Sequence, residues 1–214
     1  MTDQPAYMTA YIERFKALKD ISKALSDYLR DIVRDIPRVD RVDARAKSPD
    51  RFFVKSNKED DDGEKRYKNP LFEIQDQIGA RITVFYLSDV EAVKSKILNY
   101  LRPIEIQEKS PMTDSEFGYF GLHFILKLPD DVITDDQDGL EVPEFFELQV
   151  KTLFQHAWSE AHHDLGYKSF RTLTGNEKRR IAFTAAQAWG ADTVFEELSK
   201  ELCVNDNALA SSAE

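Results

Sequence analysis

EFFELQVKTLFQHAWSEAHHDLGYK, residues 144–168, opens with Phe146, Leu148 and Val150 alternating with Glu147, Gln149 and Lys151. A period of two sends the two sets to opposite faces of a strand, so the apolar set can cover a core while a carboxylate, an amide and an ammonium look out together. From Leu153 the spacing predicts a helix to about Tyr167. Taken alone, the polar set is also what a solvated sheet face looks like. The rest of the chain weighs on that choice.

Working back from this strand, GYFGLHFILKL (118–128) puts Phe120, Leu122, Phe124, Leu126 and Leu128 on one face and Tyr119, Gly121, His123, Ile125 and Lys127 on the other. Tyr119 and His123 are thus expected to look the same way, with Gly121 leaving room between them. In VDARAKS (42–48), Arg45 and Lys47 share a face by the same period. In the helix announced by Ser48-Pro49-Asp50, Arg51 and Lys55 share one by the i, i+4 rule. Arg81 sits inside IGARITVFYL (78–87), where a guanidinium is out of place unless a partner or ligand meets it, and Asp76 lies just ahead. Each has a plain alternative: a structural ion pair for Arg81, a hydrogen-bonded core histidine for His123, ordinary packing for Tyr119, a solvated edge for Arg45 and Lys47. If their faces coincide, these are the parts of a nucleotide site, with cations for phosphates, a flat ring for a base and carboxylates for magnesium. His156, His162 and His163 lack a clear third zinc ligand. No GxxxxGK[ST] or GxGxxG loop occurs.

Around these stretches the pattern predicts an amphipathic helix over 6–34, a charged loop over 56–70, a helix over 89–101, a strand at 104–108, a helix from about Asn176 to Leu202, and a frayed tail from 205. The expected fold class is α/β (α+β), a mixed sheet of about five strands flanked by helices. Its expected parts are an N-terminal helical segment (1–37), a central domain (38–168) and a C-terminal helix and tail (169–214). The 214 residues carry a net charge of −10, which argues against a general nucleic-acid coat, yet residues 38–55 hold six basic and three acidic side chains. A small anionic ligand suits that local excess. No basic-then-apolar leader and no apolar run long enough to span a bilayer appears, so no membrane is expected and the cytoplasm is the expected location. One cysteine, Cys203, excludes an intrachain disulfide.

Taken in order, ARAKSPDRFFVK, DQIGARI, GYFGLH and ELQVKTLFQHAWSEAHHDLGYK resemble the synthetase domain of the RelA/SpoT family, from about Arg45 to Lys168, and the chain is similar in length to the small alarmone synthetases. The resemblance implies a nucleotidyltransferase-like fold and a Mg²⁺-dependent pyrophosphokinase moving the β,γ-pyrophosphate of ATP to the 3′-hydroxyl of GDP or GTP. By the same resemblance Arg45, Lys47, Lys55 and Arg81 bind the ATP phosphates and Asp76 holds Mg²⁺. Tyr119 stacks on the acceptor base, His123 and Lys151 lie near the acceptor phosphates, and Glu147 is a metal ligand or activates the 3′-hydroxyl, with Gln149 beside it. A homo-oligomer, often a tetramer in small synthetases, is implied as well. The chain departs from the family in having Arg51 for a common serine, Lys151 for an arginine, and Asp114 to Phe117 (DSEF) where a lysine and asparagine are frequent. Those acids keep open a second acceptor, an adenosine nucleotide or a tRNA 3′ end, as in toxic relatives. A non-catalytic nucleotide-binding module is the third possibility.

Overall fold

The computed structural model describes residues 5–108, 117–119, 121–133, 141–168 and 171–211. Helix α1 (Ala6–Ile32) forms where Tyr11, Leu18, Ile21, Leu25 and Leu29 recur at steps of three, four and seven, and all five are fully buried. Strand β1 (Val39–Ala46) follows, then α2 (Pro49–Ser56), whose first turn is capped as its sequence announces: Ser48 Oγ accepts from the Arg51 backbone N–H at 3.4 Å. The charged loop is pinned by Asp60, whose side chain accepts from the backbone N–H groups of Asp62 and Glu64, and it turns at Gly63 with φ 80°.

A four-residue helix, α3 (Pro70–Glu73), and a 3₁₀ turn (Gln75–Gln77) lead into β2 (Ile78–Val84), followed by α4 (Leu87–Tyr100) and β3 (Pro103–Glu108). Strands β4 (Leu122–Lys127) and β5 (Phe145–Thr152), then α5 (Leu153–Lys168) and α6 (Gly175–Ser211), complete the chain. The sheet order is β1-β2-β5-β4-β3, with β2 and β5 parallel and the other three pairs antiparallel. This is the mixed five-stranded α+β sheet expected, with the stretch at 145–152 at its centre.

Its apolar face carries Ile82, Phe124, Leu126, Phe146, Leu148 and Val150, all fully buried under α1 and α4. At about 1.5–3 kcal/mol for each large side chain removed from water, this face is the main source of cohesion. The polar face is flanked by α5 and α6, which form a smaller cluster with Tyr119, Trp158 and Ala185. Glu196 of α6 accepts from the backbone N–H and hydroxyl of Ser88 at 3.0 Å, docking that helix on the start of α4.

The structure corrects four boundaries. Strand β2 stops at Val84, and α4 starts at Leu87, where the Asp89 carboxylate accepts from the Tyr86 backbone N–H at 3.1 Å. Strand β4 starts at Leu122 instead of Gly118, which removes Tyr119 from the sheet. Gly121 makes no room for a ligand: a Cβ there would stand 2.4 Å from both Lys151 Cγ and the Val150 carbonyl oxygen, so the chain crosses directly over β5. Helix α6 runs on to Ser211, past the expected fraying point. Phe120 and Asp114 to Glu116 lie outside the described residues.

Candidate active site

Strand register lays the polar residues out in rows. Cα partners across β1, β2, β5 and β4 are Arg45, Gly79, Glu147 and Ile125 in one row and Asp43, Arg81, Gln149 and His123 in the next. Directly paired residues point to one face, so the polar alternation of β5 and the arginine of β2 meet there.

At the start of β2, Asp76 gathers two cations. Lys47 Nζ, just past the end of β1, lies 3.0 Å from Asp76 Oδ2, and Lys55 Nζ from α2 lies 2.8 Å from the same oxygen. The turn is braced from behind. The Lys47 N–H donates to the Gln77 carbonyl at 2.8 Å, and the Gln77 side chain donates to the carbonyls of Leu71 and Ile74. The Gln77 amide oxygen in turn accepts from the buried Arg14. Asp76 Oδ1 is buried and has no hydrogen-bond partner.

Glu147 lies at the middle of the face, its side chain 22% exposed. Burial opposes its charge, but His123 Nδ1 at 3.1 Å, the Gln149 amide at 3.3 Å and the field of Lys55 outweigh it and hold the carboxyl at about 2. The His123 contact is ionic in character when the ring is protonated, because neither ring nitrogen meets a partner at hydrogen-bond angles. Lys55 thus acts on both carboxylates.

Arg81 is held by three groups: Gln149 Oε1 at 3.3 Å, His156 Nδ1 at 2.9 Å and Glu160 Oε1 at 2.8 Å. Burial and the neighbouring guanidinium lower the pKa of His156, favouring a neutral ring that accepts from Arg81.

The structure therefore brings Lys47, Lys55 and Asp76 together, and Glu147, Gln149, His123 and Arg81 together, with Arg45 exposed at the end of Glu147's row. Two predicted site residues are turned away from this group. Lys151 is buried beneath Gly121 and donates to Ser159 Oγ of α5 at 3.0 Å. Tyr119 does not share a strand face with His123; its ring packs against Trp158 and Ala185, and its hydroxyl donates to Asp192 Oδ2 of α6 at 2.5 Å. Asp192 also accepts from Thr152 at 2.5 Å. Burial and the Asp192 carboxylate push the Tyr119 phenol up.

Four contributors escaped the sequence reading. His156 and Glu160 are a legible i, i+4 pair, but nothing in the sequence says that Arg81 is their partner. Asp192 and Arg14 sit on helices whose patterns mark only an apolar stripe.

A sequence model described as "Region found in RelA / SpoT proteins" matches residues 44–172, more than half of the chain. The protein belongs to the RelA/SpoT family. The matched region contains every predicted site residue from Arg45 to Lys151. GTP pyrophosphokinase YjbM of Bacillus subtilis (strain 168) is 24% identical over 142 residues, and the match spans 64% of this chain and 65% of that relative. A GTP pyrophosphokinase family protein from Streptococcus pneumoniae superposes with a TM-score of 0.70 at 20% identity, covering 93% of this chain and 96% of that one. The small alarmone synthetase 1 from Bacillus subtilis, solved bound to its product pppGpp, superposes at 0.65 with 20% identity over 92% of this chain and 96% of that one. The RelA/SpoT region here thus sits in a fold shared with small synthetases. No helix among the described residues is long and apolar enough to cross a membrane.

Proposed function

We propose that this protein is a Mg²⁺-dependent pyrophosphokinase that makes ppGpp or pppGpp from ATP and GDP or GTP. The observation that carries the reading is the pair of carboxylates, Asp76 and Glu147, set among Lys47, Lys55, Arg81 and His123 on one sheet face. Family membership and the pppGpp bound to the Bacillus synthetase of the same fold support it. Acceptor 3′-oxygen attacks the β-phosphorus of ATP, the bond from that phosphorus to the α,β-bridging oxygen breaks, AMP leaves, and the hydroxyl proton passes to Glu147 or to water beside it. Lys47, Lys55, Arg45 and Arg81 would bind the donor phosphates, the two lysines exchanging Asp76 for phosphate oxygens. Phosphoryl chemistry of this kind rests on alignment and charge neutralisation.

Asp76 and Glu147 fit a magnesium ion: Asp76 keeps one buried oxygen without a partner, and Glu147 is firmly ionised. Such an ion would supply positive charge that neutralises the polyphosphate as it is transferred. On the acceptor side, Tyr119 would stack on the base after releasing Asp192, His123 and Gln149 would face the acceptor, and Lys151 would reach it only after releasing Ser159. γ-Labelled ATP with Mg²⁺ is expected to label GDP and GTP with equal release of AMP. Label found only on an adenosine nucleotide or on tRNA would replace the acceptor, and no transfer to any of them would favour a binding module.

A homo-oligomer belongs to the same proposal. Val194, Leu198 and Leu202 recur at steps of four along α6 and are 45–63% exposed, an apolar stripe suited to a second copy. Light scattering during size-exclusion chromatography is expected to give a multiple of 24.7 kDa, and a monomer across micromolar concentrations would reject it.

A further inference from the structure

In the row Arg45, Gly79, Glu147 the middle position has no side chain, although it lies in a strand paired on both sides. Glycine in a strand interior is destabilising relative to alanine, so it calls for a reason. The backbone does not supply one, because Gly79 is not among the residues with positive φ. Packing does not supply one either: no described atom lies within 4 Å of where its Cβ would stand. Gly121 is the instructive contrast, since a Cβ there would collide with Lys151 and the Val150 carbonyl. The fold itself requires the second glycine and has space for a side chain at the first.

The missing Cβ would point to the polar face, between the guanidinium of Arg45 and the carboxylate of Glu147, two residues before Arg81 and three after Asp76. Arg45, whose guanidinium suits phosphate oxygens, flanks it on one side in the register, and Glu147 flanks it on the other. We infer that the bare backbone at Gly79 is the floor on which the donor's triphosphate lies, making Gly79 a specificity-determining residue of the donor site. This rests on the pyrophosphokinase reading for the identity of the donor. A methyl group there would lift the polyphosphate away from Glu147 without touching the protein.

The test uses Gly79→Ala and Gly79→Val in the full chain, with thermal unfolding and calorimetric binding of a non-hydrolysable ATP analogue with Mg²⁺ and, separately, of GDP. Gly79→Ala is expected to unfold at or above the wild-type temperature, to bind the ATP analogue at least about tenfold more weakly, and to bind GDP unchanged. Gly79→Val is expected to lose more ATP affinity than Gly79→Ala. Unchanged ATP affinity, an equal loss for GDP, or unfolding several degrees below wild type in Gly79→Ala would each overturn the inference. Wild-type protein that binds ATP but transfers nothing to guanosine nucleotides would reject the proposed reaction and leave the binding comparison intact. No ATP binding by the wild type would overturn both.

Discussion

Replacing Glu147 by glutamine is expected to lower the rate of pyrophosphate transfer by about a thousandfold while leaving nucleotide binding nearly intact, within the range seen when a positioned acid–base group is removed. The substitution keeps the shape of the side chain and an oxygen for the Gln149 amide and removes only the charge. A carboxyl held at about 2 is a dependable anion but a weak base, so much of the loss should come from its electrostatic and metal-holding parts. The same variant reports on stability. The folded pKa lies below the unfolded value of 4.5, so the contribution is complete above that pH and disappears as pH falls from about 4.5 toward about 2. Urea unfolding between pH 6 and pH 3 should show wild-type stability falling more steeply than that of the variant, by a few kcal/mol at most. Transfer at the wild-type rate by Glu147→Gln would remove Glu147 from the chemistry.

The largest expected effect on the fold comes from Arg14→Met. Arg14 is only 4% exposed and donates to the carbonyl of Glu141 at 2.5 Å, to the carbonyl of Leu71 at 3.3 Å and to the Gln77 side chain. Burial works against its charge and lowers its pKa, so three acceptors are required to hold it. Methionine keeps most of the stem and takes this donor from the Glu141 carbonyl and the Gln77 amide oxygen, while the Leu71 carbonyl keeps its bond from Gln77. The expected cost is about 3 kcal/mol, a fall in melting temperature of about 6–12 °C for a chain of this size. Gln77 follows Asp76 directly, so the Michaelis constant for ATP should rise more than that for the acceptor. A melting temperature within a degree of wild type would mean that water replaces the guanidinium without loss.

The alternation in 145–152 was legible because period two is a property of any strand with one buried face, and the structure puts Glu147 and Gln149 on the open side. Arg81 was legible for a related reason, as a cation inside a β-branched run. Lys55 was legible from helical spacing and Asp76 from its place ahead of the strand, with their roles implied by the family motif; their meeting depends on a turn and a helix whose relative placement no spacing encodes. Tyr119 was misplaced because GYFGLHFILKL alternates without interruption, whereas the crossing at Gly121 over Val150 ends the strand early. Asp192 had no signal at all, since a single carboxylate on an amphipathic helix looks solvated until its tertiary partners are known.

Strands β2 and β5 pair in parallel, laying Gly79 beside Glu147 and Arg81 beside Gln149, yet the whole of residues 85–144 separates them along the chain. Closing so long a segment is a slow, entropically opposed step that contacts within the segment cannot replace. During synthesis Arg45, Lys47, Lys55 and Arg81, the cations proposed to bind the donor phosphates, leave the ribosome with Asp76 well before Glu147 does. A nascent chain can therefore order its first helix and first two strands, but the two sides of the site meet only once β5 has slotted between β2 and β4. Completion of the sheet and assembly of the reaction centre are one folding event.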